Sequence, residues 1–254
     1  MKITFLGTGT SQGVPVIACK CRVCSSQNIK DKRLRTSLLI ETKSTKVVID
    51  SGPDFRQQML RSHVDNLDAI IFTHGHKDHI AGLDDVRAYN HIQQDAMNIY
   101  ADELTQTNIK KEFSYIFDNQ QYPGVPKVNL NTISPDMKFR IKEIEFETIQ
   151  VTHYKLPVLG FRFNDFTYIT DANFISAEEL KKINNTKYLV LNALREEPHI
   201  SHFTLAEAID IAQKVKAQQT YFTHISHQLG LHDEVEKKLP QNIKLAYDLL
   251  TFEI

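Results

Sequence analysis

The sequence predicts an α/β layered domain, and three observations carry that expectation. Short β-rich runs alternate with helical ones along the chain. Residues with metal-ligand side chains fall repeatedly at the ends of the β-rich runs. No linker, repeat or low-complexity segment divides the 254 residues. A single domain spanning 1–254 is expected, made of two β-rich halves with helices outside.

Residues 2–6 read as the first strand, followed by the turn Gly7-Thr8-Gly9-Thr10. That turn lacks the lysine of a phosphate loop and the third glycine of a dinucleotide fingerprint, so a tight backbone path beside the site is its expected use. Residues 36–41 and 46–50 form a hairpin pattern joined by a polar turn. Residues 55–62 read as helix, 69–72 as strand and 82–88 as a short helix. A strand at 98–100 and a helix near 102–110 precede Tyr122-Pro123-Gly124-Val125-Pro126, which reads equally as a lid near the site or a plain surface connection. Strands at 138–140, 144–151, 160–163, 166–170 and 220–223 and helices at 177–183, 205–216 and 233–239 complete the pattern.

Composition narrows the function classes. Hydrophobic residues make up 41% and charged ones 24%, enough for a sizeable core. Lys and Arg total 30 against 31 Asp and Glu, so no global positive field gathers a polyanion, although a local basic patch stays open. The first residues enter a strand without a leader pattern, and no apolar run reaches membrane-spanning length. A soluble, cytoplasmic protein with no membrane contact is expected.

The densest chemistry is Thr73-His74-Gly75-His76-Lys77-Asp78-His79, directly after a mostly apolar run. Imidazoles and a carboxylate at this density are metal-ligand chemistry suited to Zn, Mn or Fe. One short turn cannot direct four side chains at one ion without strain, so two adjacent metals are the natural reading. Asp50, at the end of the 46–50 run, is expected to accept a hydrogen bond from a ligand histidine. Downstream, His153, Asp171 and His224 each follow a β-rich run, where α/β scaffolds collect functional groups. Cys19, Cys21 and Cys24 form a second cluster in a loop at about 17–26. Three thiolates in a reducing compartment point to structural zinc with a fourth ligand from elsewhere, a histidine being the expected type.

The motif His74-Gly75-His76-Lys77-Asp78-His79, followed in order by His153, Asp171 and His224, resembles the metallo-β-lactamase superfamily. The resemblance spans nearly the whole chain and is closest to the branch of cyclic-phosphate phosphodiesterases, with tRNA 3′-end endonucleases more distant. It implies a four-layer αββα sandwich. It implies that His74, His76 and His153 hold one catalytic metal, that Asp78, His79 and His224 hold the other, and that Asp171 bridges the two. It further implies that Cys19, Cys21, Cys24 and His227 hold a structural zinc.

The activity so implied is hydrolysis of a small cyclic or nucleotide-like phosphodiester by a hydroxide bridging two divalent metals, Zn or Mn. Two cations roughly 3.5–4 Å apart acidify a shared water and offset charge developing at phosphorus. His202, in Ser201-His202-Phe203-Thr204, resembles the branch's general acid, with His199 as a nearby competitor and Thr204 as a helix N-cap. Alternatives on the same site are a thioester or lactone hydrolase and a tRNA 3′-end nuclease. The latter predicts a long basic glycine-rich arm, which the sequence does not contain, so no extended nucleic-acid surface is expected. A homodimer stays open. Arg35, Arg195 and Lys77 are expected to be solvated surface charges, and His63, His91 and His232 surface or satisfied core residues.

Overall fold

The computed structural model describes residues 1–118 and 124–254. The first half begins with β1 (Lys2–Gly7), β2 (Ser37–Glu41), β3 (Lys46–Ile49), α1 (Phe55–Arg61), β4 (Ala69–Ile71) and α2 (Lys77–Ile80). It continues through α3 (Arg87–Gln93), β5 (Met97–Ala101), α4 (Glu103–Glu112), α5 (Ser114–Phe117) and β6 (Val128–Thr132). The second half holds β7 (Lys138–Ile141), β8 (Ile144–His153), β9 (Leu156–Phe163), β10 (Phe166–Tyr168), β11 (Phe174–Ile175), α6 (Ala177–Ile183) and β12 (Tyr188–Asn192). It closes with α7 (Leu205–Val215), β13 (Gln219–Thr223), α8 (His232–Glu236), β14 (Ile243–Leu245) and β15 (Thr251–Glu253).

The strands assemble into two sheets, ordered β15-β1-β2-β3-β4-β5-β6 and β11-β8-β9-β10-β12-β13-β14, with β7 paired to β8. Three apolar cores define the layers. Leu6, Leu39, Val48 and Ile70 face α1 to α4 through Phe55, Met59, Tyr89 and Ile109. Alternate residues of the same strands, Ile3, Phe5, Leu38, Ile40 and Val47, meet Phe146, Phe161, Phe166 and Tyr168 of the second sheet. The second sheet's other face, with Ile149, Val151, Leu189 and Leu191, packs on Ile183, Ala208, Ala212 and Val215 of its helices. The period-two alternation of the strands thus feeds two cores at once and produces the four-layer αββα sandwich. Among the described residues no helix is long and apolar enough to cross a membrane.

Each half repeats one plan. An antiparallel trio (β1-β2-β3; β8-β9-β10) continues into parallel strands (β3-β4-β5-β6; β10-β12-β13-β14). Parallel strands direct their carboxyl ends to one edge, which is where such sheets collect ligands. The two edges meet where the Leu159 amide donates to the Thr73 carbonyl at 3.0 Å. Expected elements recur with shifted ends. The helix expected at 82–88 resolves into a 3₁₀ turn, Leu83–Val86, leading into α3, and α2 starts inside the histidine motif. Of the segment read as a lid, Tyr122 and Pro123 lie outside the described residues. Gly124 and Val125 line a surface groove with Asn90 and Gln94, apart from the histidine motif.

Candidate metal centre

The first half supplies its ligand-type residues from the end of β4 onward. His74 and His76 lie on the loop after β4, while Asp78 and His79 occupy the first turn of α2. Gly52 permits this: a Cβ there would stand 2.0 Å from the Asp78 carbonyl oxygen, so only glycine lets the loop after β3 pass under α2. Asp50, fully buried just past β3, organises the group. Its Oδ1 accepts the Thr73 amide at 2.9 Å, and its Oδ2 accepts the Thr73 hydroxyl at 2.9 Å and His79 Nδ1–H at 2.8 Å. Because the Thr73 hydroxyl proton is committed to Asp50, His74 Nδ1 at 3.0 Å must donate to that oxygen. Both histidines thereby donate through Nδ1 and turn Nε2 inward, where that of His74 has no hydrogen-bond partner and that of His79 faces two carboxylates.

The second half answers from three strand ends. His153, the last residue of β8, donates Nδ1–H to the Ser201 carbonyl at 2.8 Å. Asp171 follows β10 with the Thr170 hydroxyl on its Oδ2 at 2.7 Å, and His224 follows β13. Asp171 Oδ2 lies 3.3 Å from His79 Nε2, and its Oδ1 lies 3.3 Å from His224 Nε2. Asp78 Oδ2 lies 3.2 Å from His79 Nε2 and 3.6 Å from His224 Nε2. Asp50, Asp171 and His224 all hold left-handed backbone, with φ of 64°, 53° and 54°. Non-glycine residues in that region carry strain, and such strain gathers at functional sites.

Two ligand-type groups with no shared member result, His74, His76 and His153, and Asp78, His79, Asp171 and His224, while His202 forms a third with His153 and Asp171 across them. The second is the more acidic. Burial by itself opposes charge on His79, yet the Asp78, Asp171 and Asp50 carboxylates raise its pKa well above the usual imidazole value. Burial opposes charge on Asp171 too, but His224 and His79 hold its carboxyl well below the usual range. His74 is pushed well down, by burial first and then by the charge of His79, which keeps its ring neutral. Imidazoles whose Nδ1–H groups are already committed at His74, His79 and His153, beside two carboxylates that face the Nε2 atoms of His79 and His224, fit divalent cations by donor type and by outer hydrogen bonding.

His202 stands over this group. Its ring stacks on His224 at 4.8 Å and lies 4.5 Å from His153, with Nδ1 3.8 Å from Asp171 Oδ1. Burial, and next the charge of His224, push it down to about 3. Two residues on, Thr204 caps α7 in a full capping box: its hydroxyl accepts the Glu207 amide while Glu207 Oε2 accepts the Thr204 amide at 2.8 Å. His202 is thus held at a fixed helix entrance. His199 is 5.1 Å from His202 and accepts the Ser201 amide at Nδ1.

A separate group unites Cys19, Cys21, Cys24 and His227. His227 Nδ1 lies 3.5 Å from Cys19 Sγ and 3.3 Å from Cys21 Sγ. The Cys24 amide, then His227, lower the Cys21 thiol to about 6, whereas burial pushes Cys24 up to about 11. The segment between His224 and His227 is sewn to the Gly7–Thr10 turn, with Ile225 N donating to Thr8 O at 2.9 Å and Thr10 N to Ile225 O at 3.1 Å. That is the tight path expected of the glycine turn.

The remaining candidates are engaged elsewhere. Arg35 pairs with Asp54 at 3.0 Å, and Arg195 binds Gln228 Oε1 and the Pro198 carbonyl at 2.7 and 2.8 Å. Lys77 pairs with Glu112 on the surface, His63 and His91 are exposed, and His232 is buried against Arg33. Sequence reasoning missed Thr73 and the Ser201 carbonyl as orienting groups. Thr73 could have been found from its place between Asp50's strand neighbour and the first histidine, whereas a carbonyl leaves no trace in residue identity.

A family model described as a β-lactamase superfamily domain matches residues 45–225. Over 250 residues the chain is 39% identical to an octanoyltransferase of Porphyromonas gingivalis, covering 98% of this chain and 50% of that protein. It is 28% identical over 168 residues to a ribonuclease Z of Nostoc, covering 64% of this chain and 46% of that one. The chain therefore spans about half the length of these two relatives. Among solved structures, a diphosphatase from the PhnP family superposes with a TM-score of 0.93 at 40% identity, covering 100% of this chain and 97% of the other. The short form of human tRNase Z superposes at 0.72 with 18% identity over 100% and 99%, and so shares the fold.

Proposed function

The chain belongs to the metallo-β-lactamase superfamily and is a metal-dependent hydrolase, and from that premise we propose that it cleaves a P–O bond in a small phosphodiester or diphosphate. The observation that carries the reading is Asp171, whose two oxygens each lie 3.3 Å from a histidine Nε2, Oδ2 from His79 and Oδ1 from His224. A carboxylate so placed suits two cations. His74, His76 and His153 would hold one, Asp78, His79 and His224 the other, with Asp171 shared, and Cys19, Cys21, Cys24 and His227 would hold a structural zinc. Bound there, two divalent cations supply a nucleophile from water at neutral pH and offset charge at phosphorus.

The chain's own residues do the rest. Asp50, through His79 and Thr73, and the Ser201 carbonyl, through His153, fix which nitrogen each ring presents. His202 protonates the leaving oxygen. Crowded by histidines, it needs an anionic neighbour to carry a proton, and a phosphoryl group is one. The likeness to a PhnP-family diphosphatase supports phosphorus chemistry over thioester chemistry on this site.

The test is turnover by the chain loaded with Zn or Mn separately on cyclic phosphodiesters, diphosphates and a thioester, with Asp78→Ala and His202→Ala alongside. His202→Ala should lower kcat by about 10²–10⁴ on alkoxide-leaving esters, the range for a positioned acid. The loss should be far smaller on p-nitrophenyl esters, whose leaving group needs no proton. Faster thioester than phosphoester turnover, or an Asp78→Ala variant with full activity and metal content, overturns the reading.

A further inference from the structure

A cavity of about 490 Å³ opens directly beside the metal centre, between His76 and His153 on one side and Tyr154, Lys155 and Ile200 on the other. Its outer walls are two large apolar side chains left open to solvent, Tyr154 at 51% and Ile200 at 65%. Single exposed apolar residues are ordinary, but these two come from different segments and are tied together. Asn173 does this: its Oδ1 accepts the Tyr154 amide at 2.8 Å, and its Nδ2 donates to the Ile200 carbonyl at 3.2 Å.

The placing of Tyr154 runs against local preference. It opens the two-residue turn between β8 and β9, where His153 pairs with Leu156, and it holds φ at 58°. Gly, Asn or Asp suit that position; the next hairpin, from Phe163 to Phe166, has Asn164 there at φ 48°, while the preceding one, from Ile141 to Ile144, has the unbranched Lys142 at φ 51°. A bulky ring kept at a strained turn, adjacent in sequence to the candidate ligand His153, calls for a use. Lys155 Nζ sits 5.3 Å from the ring's centroid and brings positive charge to the same cavity.

We propose that this cavity is a nucleobase subsite, with the base stacked on Tyr154, covered by Ile200, and the attached phosphate drawn by Lys155 toward the metal centre. The substrates are then nucleotide phosphoesters or diphosphates, in preference to simple sugar or alkyl ones. The assignment rests on the phosphoryl-hydrolase reading for the reaction, and stacking on an aromatic ring is tolerant of base identity.

The experiment measures binding without turnover. Calorimetry on the metal-loaded chain compares adenosine 5′-monophosphate with ribose 5-phosphate, for wild type, Tyr154→Asn, Tyr154→Phe and Ile200→Ser. Asparagine removes the ring but accepts the left-handed backbone, so the turn itself is kept. Wild type should prefer the adenosine ligand by about tenfold or more, the effect of one stacked base. Tyr154→Asn should close most of that gap, Ile200→Ser part of it, and Tyr154→Phe should keep it. Equal binding of the two ligands by wild type overturns the proposal, as does a gap that survives both Tyr154→Asn and Ile200→Ser. If no phosphoester is hydrolysed yet the gap closes in Tyr154→Asn, the subsite stands and the reading of the reaction falls.

Discussion

Asp50→Asn should weaken metal binding by about 10- to 100-fold while the chain still folds. The carboxylate is fully buried and accepts three donors: the Thr73 amide, the Thr73 hydroxyl and His79 Nδ1–H. Asparagine has the same shape but one oxygen. Turned so that its oxygen faces the hydroxyl and His79, it sets its NH₂ against the Thr73 amide and leaves both of these buried donors unsatisfied, at a cost of about 1–3 kcal/mol each. His79 keeps a partner but loses an anionic one, so its Nε2 becomes a weaker donor to a cation. Outer hydrogen-bond partners of metal-binding histidines contribute about 10- to 100-fold in affinity, or roughly 1.4–2.7 kcal/mol. Asp50→Ala orphans all three donors, about 3–9 kcal/mol against a total stability on the order of 5–15, and should yield little folded protein. Chelator competition reads the affinity and urea unfolding the stability. Wild-type affinity in Asp50→Asn, or wild-type stability in Asp50→Ala, would refute the argument.

Gly52→Ala should displace α2, since its methyl would lie 2.0 Å from the Asp78 carbonyl oxygen; a loss of about 1–3 kcal/mol or more by thermal unfolding, with reduced metal content, is expected, and an unchanged midpoint counts against it. Cys21→Ser should lower both the melting temperature and the occupancy of the histidine centre, because His224 and His227 share one segment; full occupancy by metal analysis would sink the coupling. A pair of substitutions concerns pH. Burial raises Asp248 to about 6, so its contribution is full below about pH 4 and is lost as pH rises through 6, about 3 kcal/mol in all. Burial, with Arg33 next, lowers His232 to about 4, so its contribution is full above about pH 6.5 and is lost as pH falls through 4, again about 3 kcal/mol. Relative to wild type, Asp248→Asn should therefore lose stability from pH 6 to 4, and His232→Gln should gain it. Urea midpoints with slopes of the same sign in both variants would contradict these assignments.

The ligand-type residues were legible because each directly follows a β-rich run, and strand ends at one sheet edge converge whatever the loops do. The strands themselves were less so. Tyr188–Asn192 is central in its sheet and buried at four of its five positions, so it shows no alternation to mark it as a strand. Val128–Thr132 is an edge strand broken by asparagines, and Thr251–Glu253 is defined by pairing with residues at the other end of the chain. Neither carries a local signal. The orientation of the rings was legible at Asp50, whose position announced a carboxylate beside the motif, and illegible at Ser201, which acts through its carbonyl.

Why Asp50 orients a candidate ligand while Asp171 can be one follows from the repeated plan. Each is a left-handed residue that follows the third strand of an antiparallel trio, beside a parallel neighbour. Next to Asp50, the end of β4 presents Thr73, whose amide and hydroxyl both bind the carboxylate and turn it away from the cleft. Next to Asp171, the end of β12 presents Asn192, fully buried, whose amide group binds the backbone of Ala172 at 2.7 and 2.9 Å instead. Asn192 holds the turn without engaging the carboxylate, which takes the adjacent Thr170 hydroxyl and keeps its oxygens directed at His79 and His224. The same backbone device thus gives two different chemical outcomes, decided by whether the neighbouring strand end bonds the side chain or the main chain.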